Sequence, residues 1–236
     1  MIMNKIFDKN ICLNEENHEY RLLKNPDFVF ISVTTFVDGF FEGFDAPKIA
    51  LKLVNNNPKY LGYTVESLMA EWTATANYGT KVHNEIERWI KDRKEPKDQK
   101  ALNGKDWIEQ YRLRSDMDIY SEVIVYSKEL SIAGTVDILA KDNKTEEYTI
   151  IDWKTSKRID TISYKKKMGT HRTTRHIMDC NFYHYSLQLS LYRYILEQYY
   201  NLNIGHQLIA HLNDDGVNAI LTPYMQDDII EMLKYR

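Results

Sequence analysis

Apolar positions along this chain change period several times, and each change marks an element. Residues 119–126, 131–140 and 147–153 are rich in β-branched and aromatic side chains and predict three strands. Asp142-Asn143-Lys144 lies between the last two and predicts a turn, so they read as a hairpin. Ahead of the strands, Val82, Ile86, Trp89 and Ile90 form one apolar stripe at helical spacing. Behind them, Leu187, Leu191 and Ile195 point inward from a strong helix over 182–200. Residues 204–212 and 217–221 predict a final hairpin around Asp214-Asp215-Gly216, and 226–234 an amphipathic helix.

The N-terminal third is helical and aromatic, after short strands predicted at 20–23 and 28–31 as a pair. Ser32 or Thr34 can cap a helix, and Asp45-Ala46-Pro47 opens another with proline in its first turn. Asn55-Asn56-Asn57-Pro58 ends that helix, and Thr64 caps the next. Residues 91–105 are charged and interrupted by Pro96 and Gly104, which predicts a solvated connection before an amphipathic segment around Trp107, Ile108 and Tyr111. The expected organisation is an extension of strands and helices over 1–78, packed on a core over 79–236. Phe36, Phe40, Phe41, Phe44, Tyr60, Tyr63 and Trp72 are expected mostly in the core, with a ligand groove as their second use.

Length and composition narrow the class. A chain of 236 residues, 43% hydrophobic and 28% charged, suits one domain with a sizeable core. No apolar run approaches a membrane span, and neither a signal peptide nor a transit peptide is evident, so a cytoplasmic or host-cell interior is expected. Cys12 and Cys180 are far apart and without partners at metal spacing, which excludes a zinc ribbon, an iron–sulfur cluster or a disulfide scaffold. A net charge of −3 does not advertise nucleic acid. One local cluster does: Lys157, Arg158, Lys165, Lys166, Lys167, Arg172 and Arg175 lie within 157–176 and can follow a phosphate backbone, or form a merely solvated loop.

The candidate chemistry sits in the central strands. Asp137 interrupts an apolar strand, where an unpaired carboxylate would be costly. Asp152 and Lys154 share one face of the next strand and Trp153 points the other way. The hairpin can bring Asp137 beside Asp152, giving two carboxylates with a lysine at the rim, a site for a hard cation. The structural alternative is a salt bridge between Asp152 and Lys154. His83 and Glu87 are i,i+4 neighbours, as are Gln188 and Tyr192. Gly79, before His83, lets another segment come close. Glu122 has the opposite parity to Val123 and Val125, which turns it to solvent in the first reading and towards the site in the second.

Four of these elements stand in a fixed order: Gly79-Thr80…His83…Glu87, Gly134-Thr135-Val136-Asp137, Asp152-Trp153-Lys154-Thr155-Ser156 and Gln188…Tyr192. Over residues 79–212 this pattern resembles the PD-(D/E)XK nuclease superfamily, and within it the RecB-like exonuclease branch that includes the mitochondrial genome maintenance exonuclease and viral and phage nucleases. The Ser32-Val33-Thr34 segment also resembles N-terminal parts of viral members.

The resemblance implies an α/β (α+β) mixed-sheet fold: a restriction-endonuclease-like αβββαβ core with a mainly helical N-terminal extension. It implies His83, Asp137, Asp152 and the backbone carbonyl of Trp153 as metal ligands; Glu87 and Glu122 are candidates for outer groups from their positions in the sequence. Lys154 would orient or activate the attacking water, and Gln188 and Tyr192 would position the lysine or the substrate. Oxygen ligands suit Mg²⁺, and one histidine is compatible with Mn²⁺. The missing cysteine set excludes the iron–sulfur subgroup, and the missing helicase motifs place any motor or replication partner on another chain. The expected activity is a Mg²⁺-dependent deoxyribonuclease, an exonuclease on single strands or free DNA ends in replication, repair or recombination. The alternatives are a catalytically silent DNA-binding module and a structure- or sequence-specific endonuclease.

Overall fold

The structure is a computed structural model that describes residues 6–14, 17–114 and 116–236. The chain runs β1 (Ile11–Asn14), β2 (Glu19–Leu22), β3 (Ile31–Ser32), α1 (Val33–Asp38), α2 (Ala46–Asn56), α3 (Val65–Asp92), α4 (Gln99–Arg114), β4 (Met117–Ser127), β5 (Ile132–Asp142), β6 (Tyr148–Lys154), α5 (Asn181–Tyr200), β7 (Ile204–Asn213), β8 (Gly216–Leu221) and α6 (Gln226–Leu233). Six strands make a mixed sheet. β4–β5, β5–β6 and β7–β8 pair antiparallel, while β3–β5 and β6–β7 pair parallel.

Strand alternation divides the core between the two faces. Ile150 of β6 joins the cluster made with α1, α5 and α6, while its neighbours Ile151 and Trp153 join the cluster made with α3 and α4. The N-terminal hairpin β1–β2 packs a third, smaller cluster against Ala133.

Several predicted boundaries hold for the predicted reasons. Ser32 Oγ accepts the Thr35 N–H and starts α1, and Asp45 accepts the Lys48 N–H at the head of α2. Thr64 and Ser67 close a reciprocal cap on α3. Others do not hold. Residues 20–23 do not pair with 28–31: β2 pairs with β1, and β3 joins the main sheet. Helix α3 runs unbroken through Gly79, so the expected division at residue 79 falls inside a helix. The expected solvated connection is half helix, because α4 begins at Gln99. Gly104 is there for packing: a β-carbon on it would lie 2.7 Å from Ile86 Cδ1.

The sheet has one opening, and two strand irregularities face it. The β5–β6 ladder ends at Ile138↔Ile151, and β3 meets β5 only at Ile132 and Ala133. Between those points, 134–136 pairs with β4 alone among the described residues, and the β4–β5 register skips Glu122 and Asp137. Val136 and Ile138 are two apart yet pack on opposite faces; in β4, Ile119 and Val123 are four apart and do the same. An unbroken strand would keep each pair on one face. Both switches fall at the opposed positions Glu122 and Asp137, and Glu122 holds φ at 50°, a left-handed conformation rare for glutamate.

Candidate active site

Asp137 and Asp152 occupy adjoining rungs just past the last β5–β6 pair. With the ladder ended, Asp137 Oδ2 takes the Trp153 N–H at 2.8 Å, a bond that a strand carbonyl would otherwise make. The Trp153 ring packs edge-on to Trp107 of α4, 5.8 Å between centroids. Its backbone stays in the β6–β7 ladder opposite Ala210. His83 reaches in from α3, with Nδ1 3.5 Å from Asp137 Oδ2. Gly79, one turn earlier, passes close over the end of β6: a β-carbon there would lie 3.0 Å from Thr155 Oγ1.

On the α5 side, Lys154 Nζ lies 2.5 Å from Asp152 Oδ2. Asp152 Oδ2 is buried, and the Lys154 ammonium is the cation that faces it. The structural alternative foreseen for this pair, a salt bridge, is therefore present. Gln188 Nε2 stands 3.4 Å from both Asp152 Oδ1 and Tyr192 Oη, so the i,i+4 pair on α5 faces the carboxylate. Lys154 Nζ also sits 4.5 Å from the centre of the Tyr185 ring, over its π face.

Charge follows burial here. Burial favours the neutral form of Lys154, but Asp152 and Asp137 together outweigh it and hold the ammonium above its ordinary pKa. Burial pushes Asp152 up against the pull of Lys154. Glu122 is the most perturbed carboxyl with a stated value: burial, then Asp137 and Glu87, raises it to about 8. Burial also raises Tyr192 well above its usual value.

Six of the expected residues thus meet at one opening: His83, Asp137, Asp152, Lys154, Gln188 and Tyr192. Glu122 faces Asp137, which corrects the first reading that turned it to solvent; the left-handed residue reverses the parity on which that reading relied. Glu87 pairs with Lys91 at 2.5 Å and acts on Glu122 through charge. Among the described residues, no three His, Cys, Asp or Glu side chains are drawn together as for a bound metal ion. The expected ligands stand instead in two pairs, His83 with Asp137 and Asp152 with Lys154. Their chemistry still fits a divalent cation. Two carboxylates and an imidazole border one opening, a donor set that suits such an ion.

The basic stretch crosses from β6 to α5 and is tied to the N-terminal segment. The Phe40 carbonyl accepts the Thr170 and His171 N–H groups and the Thr174 hydroxyl. Lys165, Lys166 and Arg175 are exposed, and Lys167 pairs with Glu42. Arg172 does not face the site; its guanidinium lies 4.6 Å from the Tyr235 ring centre, beyond α6.

Two residues at the site escaped the sequence reading. Tyr185 had a signal, since it stands three before Gln188 on the same helical face. Tyr20 had none: its hydroxyl meets Thr135 Oγ1 at 2.9 Å across 115 positions.

Gly134 fixes the Tyr192 ring. A β-carbon on Gly134 would lie 2.5 Å from Tyr192 Cε1, 3.0 Å from its Oη and 3.0 Å from Val33 Cγ2. Gly134→Ala is therefore expected to lower stability by roughly 1–3 kcal/mol, the usual cost of overpacking a core. Urea unfolding measures it, and an unchanged midpoint would mean that the ring is free to move.

No family model matches this chain, and no curated protein matches it. Among solved structures, one titled "Crystal structure of SSO0001" aligns over 99% of this chain and 81% of its own, at 13% identity and a TM-score of 0.38. Neither fold nor function is carried over at that level. No helix among the described residues is long and apolar enough to cross a membrane.

Proposed function

We propose that this chain is a metal-dependent nuclease that hydrolyses phosphodiester bonds at the opening between β5 and β6. One observation carries the reading: α3, β5, β6 and α5 each deliver a candidate catalytic or ligand residue to the same gap. The order α3, β4–β6, α5, β7 supports a PD-(D/E)XK core, with α4 inserted after the first helix.

In this reading His83, Asp137, Asp152 and the Trp153 carbonyl would hold Mg²⁺ or Mn²⁺. When bound there, such a cation would supply a water of lowered pKa and offset charge on the phosphate. Lys154, kept charged by its carboxylate neighbours, orients the water and the phosphate oxygens. Gln188 positions Asp152, and Tyr185 carries the lysine on its ring. The substrate is single-stranded DNA or a free DNA end.

The 2.5 Å contact between Lys154 and Asp152 favours a second reading, a binding module whose site is closed by a salt bridge. One experiment separates the two. End-labelled single-stranded, duplex and covalently closed circular DNA are incubated with Mg²⁺, Mn²⁺ or EDTA. Linear single strands are expected to fall to short oligonucleotides with either metal and to persist in EDTA. Duplexes should need a single-stranded end, and circles should resist. No product with any metal would leave the binding module standing; rapid cleavage of intact circles would make the chain an endonuclease.

The lysine loop gives a further expectation. Replacing Lys165, Lys166 and Lys167 by Ala should flatten the salt dependence of DNA binding by the share of about two phosphate contacts, since Glu42 already holds Lys167. Titrations at several salt concentrations read the slope, and an unchanged slope would route the DNA elsewhere.

A further inference from the structure

The backbone that carries Asp137 is short of support. Residues 134–136 have no strand neighbour on the opening side among the described residues, and the β4–β5 register skips Asp137 itself. Asp137 keeps its place by its side chain, which takes the Trp153 N–H at 2.8 Å. Glu122 and Asp152 both feel its charge, so like charges push it away from that seat.

The N-terminal hairpin supplies a hold. Tyr20 of β2 is buried, and its ring packs with Ile11, Leu22 and Ala133. Its hydroxyl leaves that apolar cluster for Thr135 Oγ1 at 2.9 Å, two residues before Asp137. Burial is the largest influence on the hydroxyl and raises its pKa, and Glu122 and Asp137 add to the rise, so it stays neutral within reach of both carboxylates. On the α5 side, Tyr192 closes on Gly134, where a β-carbon would lie 2.5 Å from its ring. One tyrosine from each face thus grips two consecutive residues of the unsupported stretch.

We propose that the N-terminal hairpin is part of the site, with Tyr20 a positioning residue that acts through Thr135 to seat Asp137 on the Trp153 N–H. Only the use of that seat, to hold a cation, rests on the nuclease reading. The seat itself is read in EDTA, from exchange of the Trp153 backbone amide by ¹⁵N NMR relative to the Ile151 amide of the same strand. The full chain is compared with Tyr20→Phe, Thr135→Val, their double variant and Thr135→Ser. Tyr126→Phe is the control: it removes another hydroxyl packed at the same hairpin, one that donates to Asp8 at 2.6 Å. Thermal unfolding confirms that each variant is folded.

Tyr20→Phe and Thr135→Val are each expected to speed Trp153 exchange relative to Ile151 about fivefold, the scale of one buried hydrogen bond. The double variant should be no faster than either, and Thr135→Ser should stay near wild type. An unchanged ratio in Tyr20→Phe would overturn the proposal and leave Tyr20 a packing residue. An equal rise in Tyr126→Phe would overturn it too, as general loosening of the hairpin, and so would additive effects in the double variant. Mn²⁺ binding, read by electron paramagnetic resonance of the free ion, should weaken about tenfold in Tyr20→Phe, as when a group that orients a ligand is lost. If the exchange effects appear and no chain binds Mn²⁺, the positioning role stands and the nuclease reading falls. If the chain cleaves DNA with metal and the exchange ratio in Tyr20→Phe is that of wild type, the positioning role alone falls.

Discussion

Asp152→Asn should lower phosphodiester cleavage at least about a hundredfold, the scale on which a major electrostatic catalytic group is missed. The substitution keeps the shape that Gln188 meets and removes the charge that Lys154 needs and that a bound cation would need. Lys154 changes as well. Burial is the largest influence on it and favours the neutral amine; without Asp152 that influence is opposed mainly by Asp137. Breaking a buried pair from one side costs up to about 3–5 kcal/mol, so rates are compared per folded molecule, with the folded fraction read by circular dichroism. Single-turnover cleavage at saturating Mg²⁺ gives the rate. A wild-type rate would remove Asp152 from the chemistry and leave its pair with Lys154 a structural salt bridge. Lys154→Arg sharpens the result, since it keeps the charge but brings a planar fork into the space between Asp152 and the Tyr185 ring. Activity equal to wild type there would reduce Lys154 to a counter-charge.

The site was legible where it depended on local periodicity. Alternation put Asp152 and Lys154 on the α5 side and Trp153 on the α3–α4 side, and a hairpin with a plain turn set Asp137 beside Asp152. Helical spacing put Gln188 and Tyr192 on one face. The failures have physical causes of their own. The parity argument for Glu122 needed an unbroken period of two, and a left-handed glutamate in the middle of β4 breaks it without a glycine or asparagine to announce it. Gly104 looked like a loop residue because glycine weakens a helix; contact with Ile86 across the α3–α4 packing outweighs that propensity. The expected pairing of 20–23 with 28–31 missed β1, which pairs with β2 over a core around Ala133 that no local pattern records.

Glu122→Gln should stabilise the metal-free chain strongly in alkali and hardly at all in mild acid. In the folded chain this carboxyl titrates at about 8, raised first by burial and then by Asp137 and Glu87, from an ordinary value of 4.5. Below about pH 4.5 it is neutral in both folded and unfolded chains, so it costs nothing. Between the two values folding must take up a proton, so stability falls as pH rises. Above about 8 the fold carries the full cost of a charged, mostly buried glutamate opposite Asp137. The interval from 4.5 to about 8, at about 1.4 kcal/mol per pH unit, puts that cost on the order of 3–5 kcal/mol. Glutamine stays neutral throughout, and its amide fills nearly the same space. Urea unfolding in EDTA at about pH 5, 7 and 9 should therefore show the variant's advantage opening with pH. Mn²⁺ should narrow it in part, because a cation beside Asp137 would offset the repulsion by that carboxylate and leave the larger effect of burial in place. Parallel pH profiles for the two chains would place the carboxyl in solvent and separate Glu122 from the opening between β5 and β6.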